Sequence, residues 1–329
     1  MKNKLITLFF CGLSILVKAQ QLPQFTQFAQ NQALLNPAFI GTNEGKEINL
    51  GGRWQMLGFG NEPRTAFGLY SQKLKTKEKE IINPSLPISR EIPEIEKEDK
   101  RSLTQAFGAN VGIDKYGAFG TFELNGLYAI HYKLTKKLKL SGGAKLGFSN
   151  NSFDPSKAIV ANLNDPTLAY QGGDLEYDEF ISSRTNNVRL NLGLGGAVHY
   201  ADFFVAAAVN NITRDLIEIG TSQVNFQPTP HLFLSTGYNY SIGQTLSINT
   251  TLLIKKMSPA PLSTELSIVA NFDEILFGGM IYRHKSAIGV TGGFNINDKF
   301  RLGYSVDFSI NKLRYASNGG HELILRYRF

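Results

Sequence analysis

The sequence predicts an all-β fold, a transmembrane antiparallel β-barrel of about 14 strands. Three observations lead to this prediction. Apolar and polar residues alternate at period two, the alternating runs are roughly ten residues long, and no convincing helix separates them. Strands of that length are long for a globular sandwich and suit a tilted membrane strand. Neighbouring strands without helical crossovers should pair antiparallel through hairpins.

The closing stretch "HELILRYRF" shows the alternation most clearly. Its first face carries Leu323, Leu325, Tyr327 and Phe329. Its second face carries Glu322, Arg326 and Arg328, and only Ile324 is out of place. A slip by one residue would push two arginines into hydrocarbon, which costs about 2–4 kcal/mol each at the membrane midplane. We therefore predict that Tyr327 and Phe329 form the terminal signal recognised by the barrel-assembly machinery.

About fourteen alternating runs follow one another along the chain. They lie near 46–56, 64–73, 103–113, 119–133, 138–149, 187–199, 202–210, 231–240, 244–255, 262–272, 275–283, 285–294, 299–310 and 321–329. Short and longer connections alternate between them, which is typical of bacterial outer-membrane barrels and predicts that both chain ends are periplasmic. The stretch 74–102 interrupts this alternation and is rich in mixed charge and proline, so we predict a flexible periplasmic insertion there.

The first residues, "MKNKLITLFFCGLSILVKAQ", resemble a secretory signal peptide. Two lysines precede a thirteen-residue apolar run that is too short to span a bilayer. We predict a signal peptide at 1–19, an N-terminal periplasmic or plug segment at 20–45, and an outer-membrane barrel at 46–329. Cys11 lies inside the apolar run, so the exported protein would contain no cysteine and no disulfide.

A secreted β-sandwich would also show period-two alternation. The polar faces, however, carry full charges such as Arg189, Arg301 and Asp307 among glycines, which a wet lumen tolerates. In lipid a strand-only chain must close on itself to pair its backbone groups, so these features favour a barrel.

Catalytic and metal-binding motifs are missing from the sequence. None of the five histidines lies in a metal-ligand or triad spacing, and the charge pattern does not resemble a nucleic-acid surface. An acidic stretch near 165–179 could hold Ca²⁺, but its spacing is not that of an EF-hand, and a solvated loop is favoured. We expect no enzymatic activity, no cofactor, no metal and no nucleic-acid partner.

The stretch before the first strand, "LPQFTQFAQNQALLNPAFIGTNEG" at 22–45, has apolar residues without clean alternation. Its polar residues are mostly Gln and Asn rather than charges. Such a segment is either a mobile tail or a plug folded into the lumen. Five large apolar side chains are available for burial, which favours the tucked segment.

Two end motifs and several internal ones resemble one protein family. The N-terminal motif residues are Gln24, Phe25, Gln27, Phe28, Asn36, Pro37, Phe39 and Gly41. Further matches are "RWQ" at 53–55, "GANVGIDKYGAFG" at 108–120, and the closing "GYSVDFSINKLRYASNGGHELILRYRF" at 303–329. Together they resemble the PorP/SprF family of outer-membrane proteins of the Bacteroidetes type IX secretion system, over essentially the whole mature chain.

The resemblance implies a non-enzymatic role in protein secretion. Some family members tie the periplasmic ring of lipoproteins to the outer membrane, and others assist the secretion or surface anchoring of one large adhesin, including gliding adhesins. The adhesin's C-terminal domain would be held by the barrel, and the N-terminal motif residues would serve the partner or plug role. The alternative function is an outer-membrane channel for small or hydrophobic solutes.

Overall fold

The computed structural model describes residues 24–43, 45–58, 62–74, 102–154, 157, 185–213, 218–219, 229–315 and 317–329. The strands are β1 (Lys46–Trp54), β2 (Arg64–Lys73), β3 (Ser102–Tyr116), β4 (Phe119–Lys133), β5 (Leu138–Phe153), β6 (Thr185–Tyr200), β7 (Phe203–Asn210), β8 (Glu218–Ile219), β9 (His231–Ile242), β10 (Leu246–Met257), β11 (Ser263–Phe272), β12 (Leu276–Arg283), β13 (Ala287–Asn295), β14 (Phe300–Ser309) and β15 (Gly320–Arg328). All except the two-residue β8 are long strands of the wall, which confirms the prediction of about fourteen.

The sheet is antiparallel and closes on itself. Each long strand pairs with its neighbours in sequence, with β7 next to β9, and β1 pairs with β15 to close the barrel. In the closing ladder Glu47 lies opposite Arg328 and Trp54 lies opposite His321. Closure leaves no strand edge unpaired along this seam, as a strand-only wall in lipid requires.

The two ends of the barrel differ in what they carry. We call the end at which β1 begins and β15 ends the chain-end mouth, and the other end the opposite mouth. The connections at 134–137, 201–202, 243–245, 273–275 and 296–299 lie at the chain-end mouth. The ends of β2 and β3 that flank the predicted insertion at 74–102 lie there too, whereas the insertion itself falls almost wholly outside the described residues.

The outer and inner faces of the wall have opposite chemistry. Large exposed apolar side chains cover the outer face: Leu50, Phe107, Leu124, Leu146, Leu194, Val205, Leu234, Ile268, Met280, Val290, Tyr304 and Leu323. Buried polar and charged side chains line the inner face: Asn49, Thr65, Asn125, Lys145, Asn191, Asn210, Thr251, Glu265, Arg283, Thr291, Ser305 and Glu322. An apolar exterior around a polar interior inverts the soluble-protein pattern and is that of a transmembrane barrel.

The segment before β1 forms short helical turns. A 3-10 turn at Phe28–Gln30 is followed by the one-turn helix α1 (Gln32–Leu35) and a second 3-10 turn at Pro37–Phe39. Asn36 caps the second turn, because its side chain accepts a hydrogen bond from the Ala38 amide while Pro37 occupies the first helical position. Within the described part of the chain, no helix is long and apolar enough to cross a membrane.

Some details differ from the sequence-based expectation or fall outside the description. The two-residue strand β8 pairs with β6 and lies in the connection between β7 and β9, where the sequence predicted no strand. Ile324, out of place in the alternation, is buried on the inner face, where the lumen contains protein as well as polar groups. The predicted signal peptide at 1–19 and the acidic stretch near 165–179 lie outside the described residues, so both stay predictions.

Candidate functional site

Charged side chains from six strands form one connected chain of ion pairs on the inner wall. Its centre is Arg53 of β1, whose guanidinium lies 2.6 Å from the Asp307 carboxylate and 3.1 Å from that of Glu322. Arg53 and Glu322 are both almost fully buried. Their pairing follows from barrel closure, because β15 lies between β1 and β14 in the sheet.

The chain of ion pairs continues along the wall from Asp307. Nη1 of Arg283 lies 3.5 Å from the Asp307 carboxylate, and its Nε lies 3.2 Å from Glu265. Lys255 pairs with the same Glu265. We call these six residues the ion chain: Lys255, Glu265, Arg283, Asp307, Arg53 and Glu322. Three cations face three anions, so the buried charges are balanced, as burial requires.

The ion chain also holds the N-terminal segment. The carboxylate of Glu322 accepts hydrogen bonds from the backbone amides of Thr26 (2.6 Å) and Gln27 (3.0 Å). Arg53 donates to the Thr26 hydroxyl. Hydrogen bonds to an ionised carboxylate are among the stronger kinds, so the start of the described segment is fixed to the seam of the barrel.

The next part of the segment packs on strands of the wall away from this seam. Phe28 is buried in an apolar cluster with Ala208, Phe233, Leu253 and Ile281, which come from β7, β9, β10 and β12. Burying a phenylalanine side chain contributes roughly 1.5–3 kcal/mol relative to its exposure. These four strands place apolar side chains on the inner face of the wall, where they contact Phe28. The inner wall is therefore apolar at the place where it contacts this residue of the segment.

The Asn-Pro step approaches the wall more closely. The Asn36 amide nitrogen donates to the carbonyls of Gly196 (3.2 Å) and Ala207 (3.1 Å). A Cβ at Gly143 would collide with the backbone of Pro37, and one at Gly195 would collide with the Asn36 side chain. Glycine in these strands therefore provides the space that the segment occupies.

The end of the segment meets the third side of the barrel. Ile40 is buried with Leu69, Ala106, Leu127 and Ala129 of β2, β3 and β4. Its carbonyl lies 2.9 Å from Nε2 of His131. Gly41 follows with a φ of +65°, a conformation that favours glycine, and a Cβ there would collide with Ala106.

The sequence-derived motif residues lie on this contact path. Gln27, Phe28, Asn36 and Pro37 are buried, whereas Gln24, Phe25 and Phe39 are half-buried. The Phe25 ring packs edge-on against Phe67 at 4.9 Å, and the Phe39 ring packs against Phe204 at 5.4 Å. The motif is thus brought together against the inner wall, and its functional role stays a prediction.

The predicted assembly signal lies at the end of β15. Tyr327 packs its ring against Phe300 at 4.5 Å and against Phe329 at 4.7 Å. Phe329 is 61% exposed, on the apolar side of the wall. These contacts are at the chain-end mouth, and recognition by the assembly machinery stays a prediction.

A second charged group lies on the inner wall near the chain-end mouth. Arg326 bonds to the Gln30 carbonyl (2.7 Å) and lies 3.7 Å from Glu47. Arg328 lies 3.3 Å from the same carboxylate. Arg301 lies directly opposite Arg326 in the β14–β15 ladder. We call these three arginines and Glu47 the arginine row.

Sequence reasoning placed Asp307, Arg301 and the charges of the closing strand on a polar face but missed their partners. Asp307 and Glu322 were predicted to lie on polar faces, Arg53 stood out only as a motif position, and Thr26 was not singled out. The available signal was the presence of full charges at lumen-facing positions of several strands. Among the described residues, no group of three or more His, Cys, Asp or Glu side chains is placed to hold a metal ion.

The closed strand wall, its apolar exterior and its charged interior define a membrane β-barrel. The chain belongs to the family described as type IX secretion system membrane protein PorP/SprF, whose sequence profile matches residues 17–327. This confirms the family resemblance inferred from the sequence. No curated protein matches the chain at a significant level.

Several solved structures are similar to this chain at low identity. The toluene transporter TodX of Pseudomonas putida has 11% identity and a TM-score of 0.49, with 90% of this chain and 92% of that chain covered. The translocator domain of autotransporter NalP from Neisseria meningitidis has 11% identity and a TM-score of 0.45, with 92% and 95% covered. Omp33 of Acinetobacter baumannii has 9% identity and a TM-score of 0.46, with 86% and 98% covered.

Proposed function

We propose that this protein is a non-enzymatic outer-membrane component of the type IX secretion system that holds a partner polypeptide. The partner is either the C-terminal domain of a large adhesin or a lipoprotein of the periplasmic ring. The N-terminal segment plugs the lumen in this proposal, so the barrel serves as an anchor and not as an open pore. Family membership supports the secretion role, and the family's membrane character and the barrel fold support the outer-membrane location.

The observation that carries the proposal is the distribution of contacts made by the N-terminal segment. Within about fifteen residues it is bonded to Glu322 at the seam, packed on β7, β9, β10 and β12 through Phe28, and bonded to β6 and β7 through Asn36. Ile40 then packs on β2–β4. A chain tied to several sides of a lumen obstructs a free solute path, which favours a protein-holding role.

Deletion of the gene in its own bacterium tests the secretion role. We expect one large surface protein to accumulate inside the cells while other outer-membrane proteins reach the membrane normally. Site-specific crosslinking from a tagged barrel, with photoreactive residues placed at each mouth, should then capture either the adhesin's C-terminal domain or a ring lipoprotein.

The matched control is complementation with a wild-type copy, which should restore secretion. Normal secretion in the deletion strain, together with lost solute uptake and a measurable conductance of the purified barrel, would contradict the proposal. That combination would instead establish the channel for small or hydrophobic solutes.

A further inference from the structure

A polar cavity of about 370 Å³ lies between the N-terminal segment and the chain-end mouth. We call this cavity the vestibule. Ala29, Gln30 and Ala33 of the segment line one side of it, and Asp202 in the β6–β7 turn lines it near the mouth. Its wall is rich in amides and arginines: Asn49, Asn239, Asn249, Asn271, Arg301 and Arg326.

Two arginines, Arg301 and Arg326, and two carboxylates, Glu47 and Asp202, line the vestibule, and the surplus of positive charge is local to the arginine row. Two arginines of the arginine row, Arg326 and Arg328, share one carboxylate, that of Glu47. Arg301 has no carboxylate of the described residues within ion-pairing distance, and its guanidinium instead bonds to the Asn271 side chain at 3.2 Å and stacks 3.9 Å from the Phe277 ring centre. Like charges directly opposite each other in a ladder repel, so the Arg301–Arg326 pair is costly without an anion.

Several buried polar atoms of the lining residues are also without hydrogen-bond partners among the described residues. They are Nε2 of Gln30, Oε1 of Gln32, Oδ1 of Asn239 and Nε of Arg301. Amide side chains offer both donors and acceptors, which match the N–H and C=O groups of an extended peptide. The Arg301 guanidinium, which faces Arg326 and has no carboxylate partner among the described residues, and these unmatched amides are independent observations at the same cavity.

We propose that the vestibule binds an extended acidic peptide, whose carboxylate lies between Arg301 and Arg326. Arginine guanidinium groups bind carboxylates through paired, charge-assisted hydrogen bonds, and the surrounding amides hold the peptide backbone. The cavity lies within the size range of small-ligand sites, about 300–1,000 Å³, so it accommodates only the end or a short stretch of the peptide. The ion chain contains no comparable surplus, because its three cations face three anions.

The test uses the full-length barrel in detergent and a fluorescein-labelled pentapeptide ending in Glu-Asp. Fluorescence anisotropy should show saturable binding that weakens as salt is raised. The matched peptide ending in Gln-Asn with an amidated terminus should bind at least about tenfold more weakly, since it lacks every carboxylate. The comparison of the two peptides on the unmutated protein therefore decides whether the protein recognises carboxylates.

Variants locate the site. Arg301→Gln should weaken binding of the acidic peptide at least about tenfold, and Arg301→Lys should give an intermediate loss because it keeps the charge but not the planar fork. Arg314→Gln is the matched control, since Arg314 stacks on Tyr315 in the connection before β15, at the opposite mouth. It should change the affinity less than about twofold.

Three results would overturn the proposal. The first is equal affinity for the acidic and the neutral peptide. The second is an unchanged affinity for the acidic peptide in folded Arg301→Gln. The third is that inorganic phosphate displaces the labelled peptide at the same concentration as the unlabelled acidic peptide does. The measurement does not involve secretion, so its failure would leave the proposed secretion role standing, and a failed secretion test would leave the binding result standing.

Discussion

The ion chain and the arginine row lie on the same inner wall but balance their charges differently. In the ion chain, Arg53 sits between two carboxylates, and each buried charge has an opposite partner within 3.5 Å. In the arginine row, Arg326 and Arg328 share Glu47, and Arg301 faces another arginine. The first group lies toward the opposite mouth and the second lies near the chain-end mouth.

The difference indicates that charged side chains of the lumen have two roles, one structural and one in ligand binding. A balanced buried network can hold the wall and the N-terminal segment in one arrangement, since removing any member leaves an uncompensated charge. An unbalanced group closer to water contributes less to stability and retains capacity for a ligand. Stability should therefore be sensitive to substitutions in the ion chain and tolerant of neutral substitutions at Arg301.

The largest effect is expected from Arg53→Met. This change leaves Asp307 without its closest cation and Glu322 without an ion-pair partner among the described residues, and it also removes the bond to Thr26. Breaking a buried pair in this way should cost about 3–5 kcal/mol of unfolding free energy. Urea titration of the barrel in lipid vesicles measures the loss.

The control for that change is Arg64→Met. Arg64 pairs with Glu62 at 3.5 Å, but its side chain is 64% exposed, so the pair is screened by solvent. Its loss should cost about 1 kcal/mol or less. Equal effects of the two substitutions would refute the distinction between a buried network and ordinary surface pairs.

A smaller effect is expected where the segment meets the wall, at Gly143→Leu. The new side chain would collide with the backbone of Pro37 and Ala38, so the segment must shift away from β5. Overpacking of this kind should lower the unfolding free energy by about 1–3 kcal/mol, and it should make the segment accessible to added protease. Limited proteolysis followed by mass spectrometry of the N-terminal fragments measures that accessibility.

The neighbouring glycine provides the matched control. A Cβ at Gly142 meets no atom within 4 Å, so Gly142→Leu should leave the segment protected. If both variants are cleaved equally, the close approach of Pro37 to β5 does not hold the segment in place.

Much of the fold could be predicted from the sequence, because lipid outside and water or protein inside impose period-two alternation on every strand. The Asn36–Pro37 step and Gly41 could also be recognised from the sequence. Asparagine suits a cap, proline has a fixed φ, and glycine favours a positive φ. These are local constraints. They act within a few residues and leave a mark on the sequence around them.

The partners across the lumen could not be predicted in the same way. Arg53 and Glu322 are 269 residues apart, and their contact depends on closure of the barrel and on the register of β1 against β15. Gly143 likewise could be identified only as a small residue in a strand, because its neighbour Pro37 belongs to a segment without strand periodicity. Such contacts are properties of the assembled wall.

The smallest effect is expected from Arg301→Gln, and it sharpens the comparison between the two groups. The change gives up a hydrogen bond to Asn271 and stacking on Phe277, and it removes the repulsion from Arg326. These terms oppose each other, so the unfolding free energy should change by less than about 1 kcal/mol. Arg283→Gln removes the ion pairs with Glu265 and Asp307, so it should lower the unfolding free energy by about 3–5 kcal/mol in the same urea titration. A loss at Arg301 as large as that at Arg283 would mean that the arginine row is a structural network like the ion chain, and that its surplus charge is already compensated within the barrel.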